Sequence, residues 1–199
     1  MNQIDSILGT REKILKAAVE LFGDKGYHAT SVQSICDLAG VTKGAFFHYF
    51  PNKNQILFEI HEFIIDRWNA ECEKVLGNDD LDPSEKIYEI TDVIIGQLID
   101  YRQHGKILFR ELNNIEGEMG EIVKAKRGHS EEIVATVIEA GMKKGDFKPN
   151  QNSLLLAKLY FGMCNWTLHW YRPEGDLTTQ QMATIIGNAF IGGLMGVPR

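Results

Sequence analysis

The chain has 199 residues, 44% hydrophobic and 24% charged, a balance that excludes intrinsic disorder and suits one sizeable core or a small module joined to a larger one. Cys36, Cys72 and Cys164 are odd in number and show no Cys-x-x-Cys spacing, so neither a disulfide framework nor a zinc ribbon is expected, and a reducing cytoplasm is the expected location. Net charge is −6, but residues 1–55 carry six basic against five acidic groups, net +1, while the rest carries 15 basic and 22 acidic, net −7; this suits a nearly neutral head with a few placed cations on an acidic body.

The opening residues show no basic stretch followed by an apolar one, and no later run is long and apolar enough to span a bilayer, so neither export nor membrane insertion is expected. Capping residues and terminal glycines recur along the chain while period-two alternation is nearly absent, which predicts an all-α protein of about nine helices. The first spans about 10–25, with Ile14, Ala18, Leu21 and Phe22 on one face and Gly26 as its stop. Thr30-Ser31-Val32-Gln33 has the form of a capping box, with Thr30 as cap and Gln33 reaching back, and opens a short second helix that ends near Leu38.

Ala39-Gly40-Val41 is a tight turn, Thr42 caps a third helix and Pro51 stops it after about eight residues. Asn52 and Gln55 open a long fourth helix to about Leu76, which joins a head at 1–53 to a body at 54–199. Asp82-Pro83-Ser84-Glu85 starts a fifth helix, expected to reach Gln103. Further helices are expected at about 106–114, 118–144, 152–171 and 178–195, the last opened by Thr178 and Gln181.

Two short helices across a glycine-containing turn form a helix-turn-helix. Val32, Ile35, Leu38, Val41, Phe46 and Phe50 fall where such helices pack on each other and on the first helix, which leaves the opposite face for DNA. Over residues 10–60 the threonine-rich entry, the Ala39-Gly40-Val41 turn, the Thr42-Lys43-Gly44 start and the His48-Tyr49-Phe50-Pro51-Asn52-Lys53 exit closely resemble the TetR family.

That resemblance implies that Thr42, Lys43, Gly44, Ala45 and Phe47 enter the major groove, with Lys43 able to reach guanine O6 and N7 and Phe47 a thymine methyl. Gln33 matches a position that touches base or phosphate; Thr30, Ser31, Tyr49 and Lys53 match backbone-gripping positions, and His48 belongs to either group. Many members have a hydroxyl residue at Ala45 and a tyrosine at Phe47, so fewer hydroxyl-to-phosphate contacts are expected here.

In the body, Trp68, Tyr101, His104, Phe109, Arg110, Asn113, Met163, Asn165, Trp166, His169 and Trp170 mix aromatic and polar groups, as suits an apolar effector pocket with a few orienting groups. A plain core stripe, or a simple Arg110–Glu111 ion pair, accounts for them equally. Gly162, Gly187, Ala189, Gly192, Gly193 and Gly196 permit close helix approach, and the resemblance implies a homodimer through the last two helices. The stretch 162–175 resembles TetR relatives that respond to acyl-CoA thioesters, although an acidic body has few cations for CoA phosphates.

The expected function is a dimeric repressor on a palindromic operator, released by a small hydrophobic effector, with no cofactor and no metal. The alternatives are a DNA-binding protein without an effector and a helical enzyme. GxSxG, GxxxxGK[ST], GxGxxG and HExxH are all missing from the sequence, and its six histidines form no i, i+4 pair.

Overall fold

The computed structural model describes residues 9–195, and Gly196 lies outside them. The described residues form nine α-helices and no strand: α1 (Thr10–Lys25), α2 (Val32–Ala39), α3 (Lys43–Tyr49), α4 (Lys53–Leu76), α5 (Pro83–Asp100), α6 (Arg102–Arg110), α7 (Gly117–Lys144), α8 (Ser153–Trp170) and α9 (Thr179–Met195), with a 3-10 turn at Leu112–Asn114.

Most ends obey the local chemistry expected of them. Gly26 closes α1 at φ 94°, a conformation that strains any residue with a Cβ. Gly40 closes α2 in the left-handed region, φ 66° and ψ 37°. Asp82 and Glu85 form a reciprocal capping box on α5 behind Pro83.

The α2 cap differs from expectation by one residue. Ser31, not Thr30, accepts from the Ser34 amide, and Ser34 rather than Gln33 reaches back. Two carbonyls explain the shift: the Thr30 hydroxyl is drawn inward to donate to Gly26 O at 2.7 Å and to lie 3.3 Å from Leu21 O. Gln33 instead donates to Asp37 at 2.7 Å on the exposed side of the helix.

The fifth helix is also shorter than expected. Tyr101 leaves helical geometry at φ −110° and ψ 39°, and a new helix starts at Arg102, whose guanidinium donates to Leu168 O at 2.8 Å. The sixth then ends at Arg110, because Glu111 turns inward and only a 3-10 turn follows.

Contacts gather the chain into two compact units that do not follow a cut at 53/54: residues 1–64 with 103–123, and residues 65–102 with 124–199. In the first, α1, α2 and α3 pack mutually around Ile14, Phe22, Ile35, Phe46 and Phe50, all fully buried. Leu38, expected in this core, is instead 47% exposed and lines a shallow notch with Lys13, Lys16 and Glu20.

In the second unit, α5 packs chiefly on α9 and α8, around Ile87, Ile94, Tyr160, Cys164 and Phe190. The Tyr160 hydroxyl meets Thr91 Oγ1 at 2.9 Å, which satisfies two buried polar groups at once. Burial pushes the Cys72 and Cys164 thiols up to about 12, so both behave as inert core residues rather than nucleophiles.

Candidate nucleic-acid interface

A seven-residue helix cannot hold its shape alone, and α3 is held at three points. Thr42 Oγ1 accepts from the Ala45 amide at 3.1 Å at its start. Phe46 and Phe50, 0% exposed, anchor its inner face and lie 6.0 Å apart between ring centres. The Arg11 guanidinium lies 5.1 Å from the Phe50 ring and pairs with Glu59 at 2.5 Å, so α1 and the start of α4 brace the same end.

The outer face is bare. Thr42, Lys43, Gly44, Phe47, His48 and Tyr49 are exposed, with Phe47 at 53%, and Ala45 is half-buried. Ser31 and Gln33 are exposed at the neighbouring α2 start. A large aromatic ring in water beside a lysine is the surface expected where apolar contact to a thymine methyl and a charged contact to phosphate or guanine coincide.

Two residues expected at phosphate have protein partners of their own. Thr30 is 1% exposed, its hydroxyl taken by the carbonyls that end α1. The Lys53 ammonium donates to Tyr27 O at 2.8 Å and Thr30 O at 2.9 Å and lies 4.3 Å from the Tyr27 ring centre; burial pulls its pKa down, with Glu111 pulling it up. Lys53 is thus a staple that fixes the loop before α2.

The residues expected to line an effector pocket lie in different surroundings within each unit. Arg110 clamps the end of α1, donating to Phe22 O, to Gly23 O at 3.2 Å and to Glu111 at 2.8 Å; Asn113 beside it is exposed. Met163, Trp166, His169 and Trp170 sit on the outer face of α8, Trp166 at 63% exposure, because α8 is apolar on both sides and only one packs on α5. Trp68 is buried, Tyr101 and Asn165 are half-buried in the second unit, and His104 and Phe109 are half-buried in the first. His104 packs on Phe63 with ring centres 5.1 Å apart, and burial lowers its pKa.

Comparison with known families settles what kind of head this is. The model for bacterial regulatory proteins of the tetR family matches residues 14–60, and that for the tetracyclin repressor-like C-terminal domain matches residues 80–194, more than half of the chain. The chain belongs to the TetR family. Its family is one of transcription regulators, not enzymes, and its α1–α3 head is the DNA-binding domain of that family.

Among TetR relatives, the repressor KstR2 of Rhodococcus jostii is 26% identical over 192 residues, covering 94% of this chain and 91% of its own. The structure of PfmR from Thermus thermophilus superposes with a TM-score of 0.82 at 27% identity, over 94% of this chain and 99% of that one. AibR in complex with isovaleryl coenzyme A and operator DNA gives 0.79 at 25%, over 94% and 98%.

In this TetR chain Glu111 was expected only as an ion-pair partner of Arg110, and Gln97 and Arg102 were not singled out. Glu111, 4% exposed, accepts from the Tyr27 amide at 3.1 Å, from Arg110 and from Asn114 at 2.6 Å; its partner loop is 84 residues away in sequence, so no local pattern shows it. Gln97 and Arg102 are polar groups at the α5–α6 corner, and the residues around them, Ile94-Ile95-Gly96-Gln97-Leu98-Ile99-Asp100-Tyr101-Arg102, carry no local sign of their partners.

Proposed function

We propose that this protein represses transcription as a homodimer on a palindromic operator and is released by a small hydrophobic effector. The observation that carries the reading is the bare outer face of α3, with Lys43 and Phe47 projecting from a helix anchored by two fully buried phenylalanines. In the proposal, Thr42, Lys43, Gly44, Ala45 and Phe47 face base edges while Ser31, Gln33, His48 and Tyr49 face the backbone. Operator recognition falls to residues 1–53, and dimerisation and effector binding to 54–199.

Dimerisation through α8 and α9 is supported by an apolar stripe. Leu155, Leu159, Met163, Trp166 and Trp170 follow one another at helical spacing on α8, each 37% to 63% exposed, and Ile185 on α9 is 50% exposed. A contiguous exposed apolar stripe on one face supports a protein interface there. Among the described residues Gly162, Gly192 and Gly193 have nothing within 4 Å of an added Cβ, which leaves room there for a second copy; Gly187 does not join them, since its Cβ would lie 2.6 Å from Tyr88.

Release by an acyl thioester is supported by the AibR complex, which holds isovaleryl coenzyme A, and a cytoplasmic location follows from the function. Among the described residues no helix is long and apolar enough to cross a membrane, and no cluster of three His, Cys, Asp or Glu could hold a metal. The test is fluorescence anisotropy on a duplex selected by the protein itself, with and without decanoyl coenzyme A and free fatty acids. Release is expected with one of them; identical operator affinities throughout would contradict effector control.

A further inference from the structure

Three polar groups at one corner of the second unit have hydrogen-bonding capacity that no group among the described residues satisfies. Arg102 Nη2 donates to Leu168 O at 2.8 Å, but its buried Nη1 has no partner. Among the described residues no carboxylate lies within ion-pair distance of Arg102. Gln97 is 8% exposed; its amide nitrogen faces Arg67 O at 3.5 Å, which directs the buried Oε1 the other way without a donor. Asn165, one helical turn before Leu168 on α8, likewise has a buried Oδ1 without a donor.

Two bonds tie the three residues to one corner of the second unit. Tyr101 N bonds back to Gln97 O, so Gln97 sits on the last turn of α5 and Arg102 on the first residue of α6. The Arg102 bond to Leu168 brings that corner against the Asn165 turn of α8. A buried guanidinium nitrogen without a partner is unfavourable, and so is each orphaned amide oxygen, unless a ligand completes them.

Their chemistry is complementary to one kind of ligand: an acceptor, preferably anionic, for Arg102, and a hydrogen-bond donor for Gln97 and Asn165. We propose that the α5–α6 corner binds the head of a hydroxycarboxylic acid, with its carboxylate on Arg102 Nη1, its hydroxyl donating to Gln97 or Asn165, and its hydrocarbon tail in the apolar interior. The inference rests on the effector-controlled reading above and puts a free hydroxy acid in place of its acyl thioester. A thioester carbonyl is uncharged and leaves the guanidinium uncompensated; a carboxylate does not.

The test is calorimetric titration of the full-length protein with 3-hydroxydecanoate, decanoate, 1-decanol and decanoyl coenzyme A. 3-Hydroxydecanoate is expected to bind tightest, and 1-decanol to be weaker by about tenfold or more for want of the ion pair. Gln97→Glu, near-isosteric, sets a protein carboxylate against Arg102 and is expected to weaken the hydroxy acid by about tenfold or more. Arg102→Lys retains part of the binding while Arg102→Met loses it, and melting curves on each variant show that the fold persists.

Equal binding of 1-decanol and 3-hydroxydecanoate overturns the inference, as does binding of decanoyl coenzyme A alone, insensitivity to Gln97→Glu, or no binding of either acid. Operator release by decanoyl coenzyme A in those cases leaves effector control standing while the hydroxy acid falls. Tight acid binding without operator release does the reverse.

Discussion

Replacing Glu111 with alanine removes one carboxylate from three hydrogen bonds at once, those from the Tyr27 amide at 3.1 Å, Arg110 at 2.8 Å and Asn114 at 2.6 Å. The Tyr27 amide loses its buried partner, which costs about 1–3 kcal/mol. The Arg110 side chain is 43% exposed, so solvent screening limits its share to under about 1 kcal/mol. The sum is about 1–4 kcal/mol, or roughly a 2–16 °C drop in Tm for a chain of this size, read by circular dichroism at fixed protein concentration so that dimerisation does not confound it.

The same site has a pH signature. Burial pushes the Glu111 carboxyl up, but hydrogen bonds from the Tyr27 backbone, Arg110 and Asn114, with the Arg110 charge, outweigh it and hold the group below its ordinary 4.5. A depressed carboxylate contributes stability in full above about pH 4.5 and loses it as the pH falls through the lower folded value. The gap between wild type and Glu111→Ala should therefore be constant near neutrality and shrink on acidification below about 4.5. A variant within about 0.5 kcal/mol of wild type, or a gap that widens on acidification, would refute the reasoning.

Lys53→Ala should destabilise the head by about 1–3 kcal/mol and leave the salt dependence of operator binding unchanged; a slope reduced by about one ion in an anisotropy salt series would instead place the ammonium on phosphate. Trp166→Asp with Ile185→Asp puts two charges into the exposed α8–α9 stripe and should give a folded monomer by sedimentation equilibrium, whereas an intact dimer would move the interface elsewhere. Gly187→Ala sets a Cβ 2.6 Å from Tyr88 and should cost about 1–3 kcal/mol. Gly192→Ala meets nothing within 4 Å, so it should leave the fold intact and shift only the monomer–dimer equilibrium.

Helix ends were largely legible because their causes are local: Gly26 and Gly40 are needed for positive φ, Pro51 follows the end of α3, and Asp82-Pro83-Ser84-Glu85 carries its own cap. The errors arise where distant groups decide. Thr30 and Ser31 carry the same hydroxyl chemistry, and the carbonyls of Leu21 and Gly26 determine which one turns inward. Lys53 and Arg110 read as a phosphate contact and a pocket group, yet both meet backbone carbonyls 23 to 88 residues away in sequence. On α8, Tyr160 and Trp166 look alike in the sequence; only the packing of α5 buries the first and leaves the second in water. Head chemistry was readable from a short motif, while the burial of the body's candidate pocket residues depends on tertiary contact.

Selection of duplexes from a random library by the wild-type protein and by a Lys43→Ala, Phe47→Ala variant tests the seating of α3 in the major groove most directly. Wild type should enrich an inverted repeat with half-sites about one helical turn, or a multiple of it, apart, and the variant, folded by circular dichroism, should lose or change the preference at the bases those two side chains face. The same enriched sequence from both proteins, or none from wild type, would contradict the account.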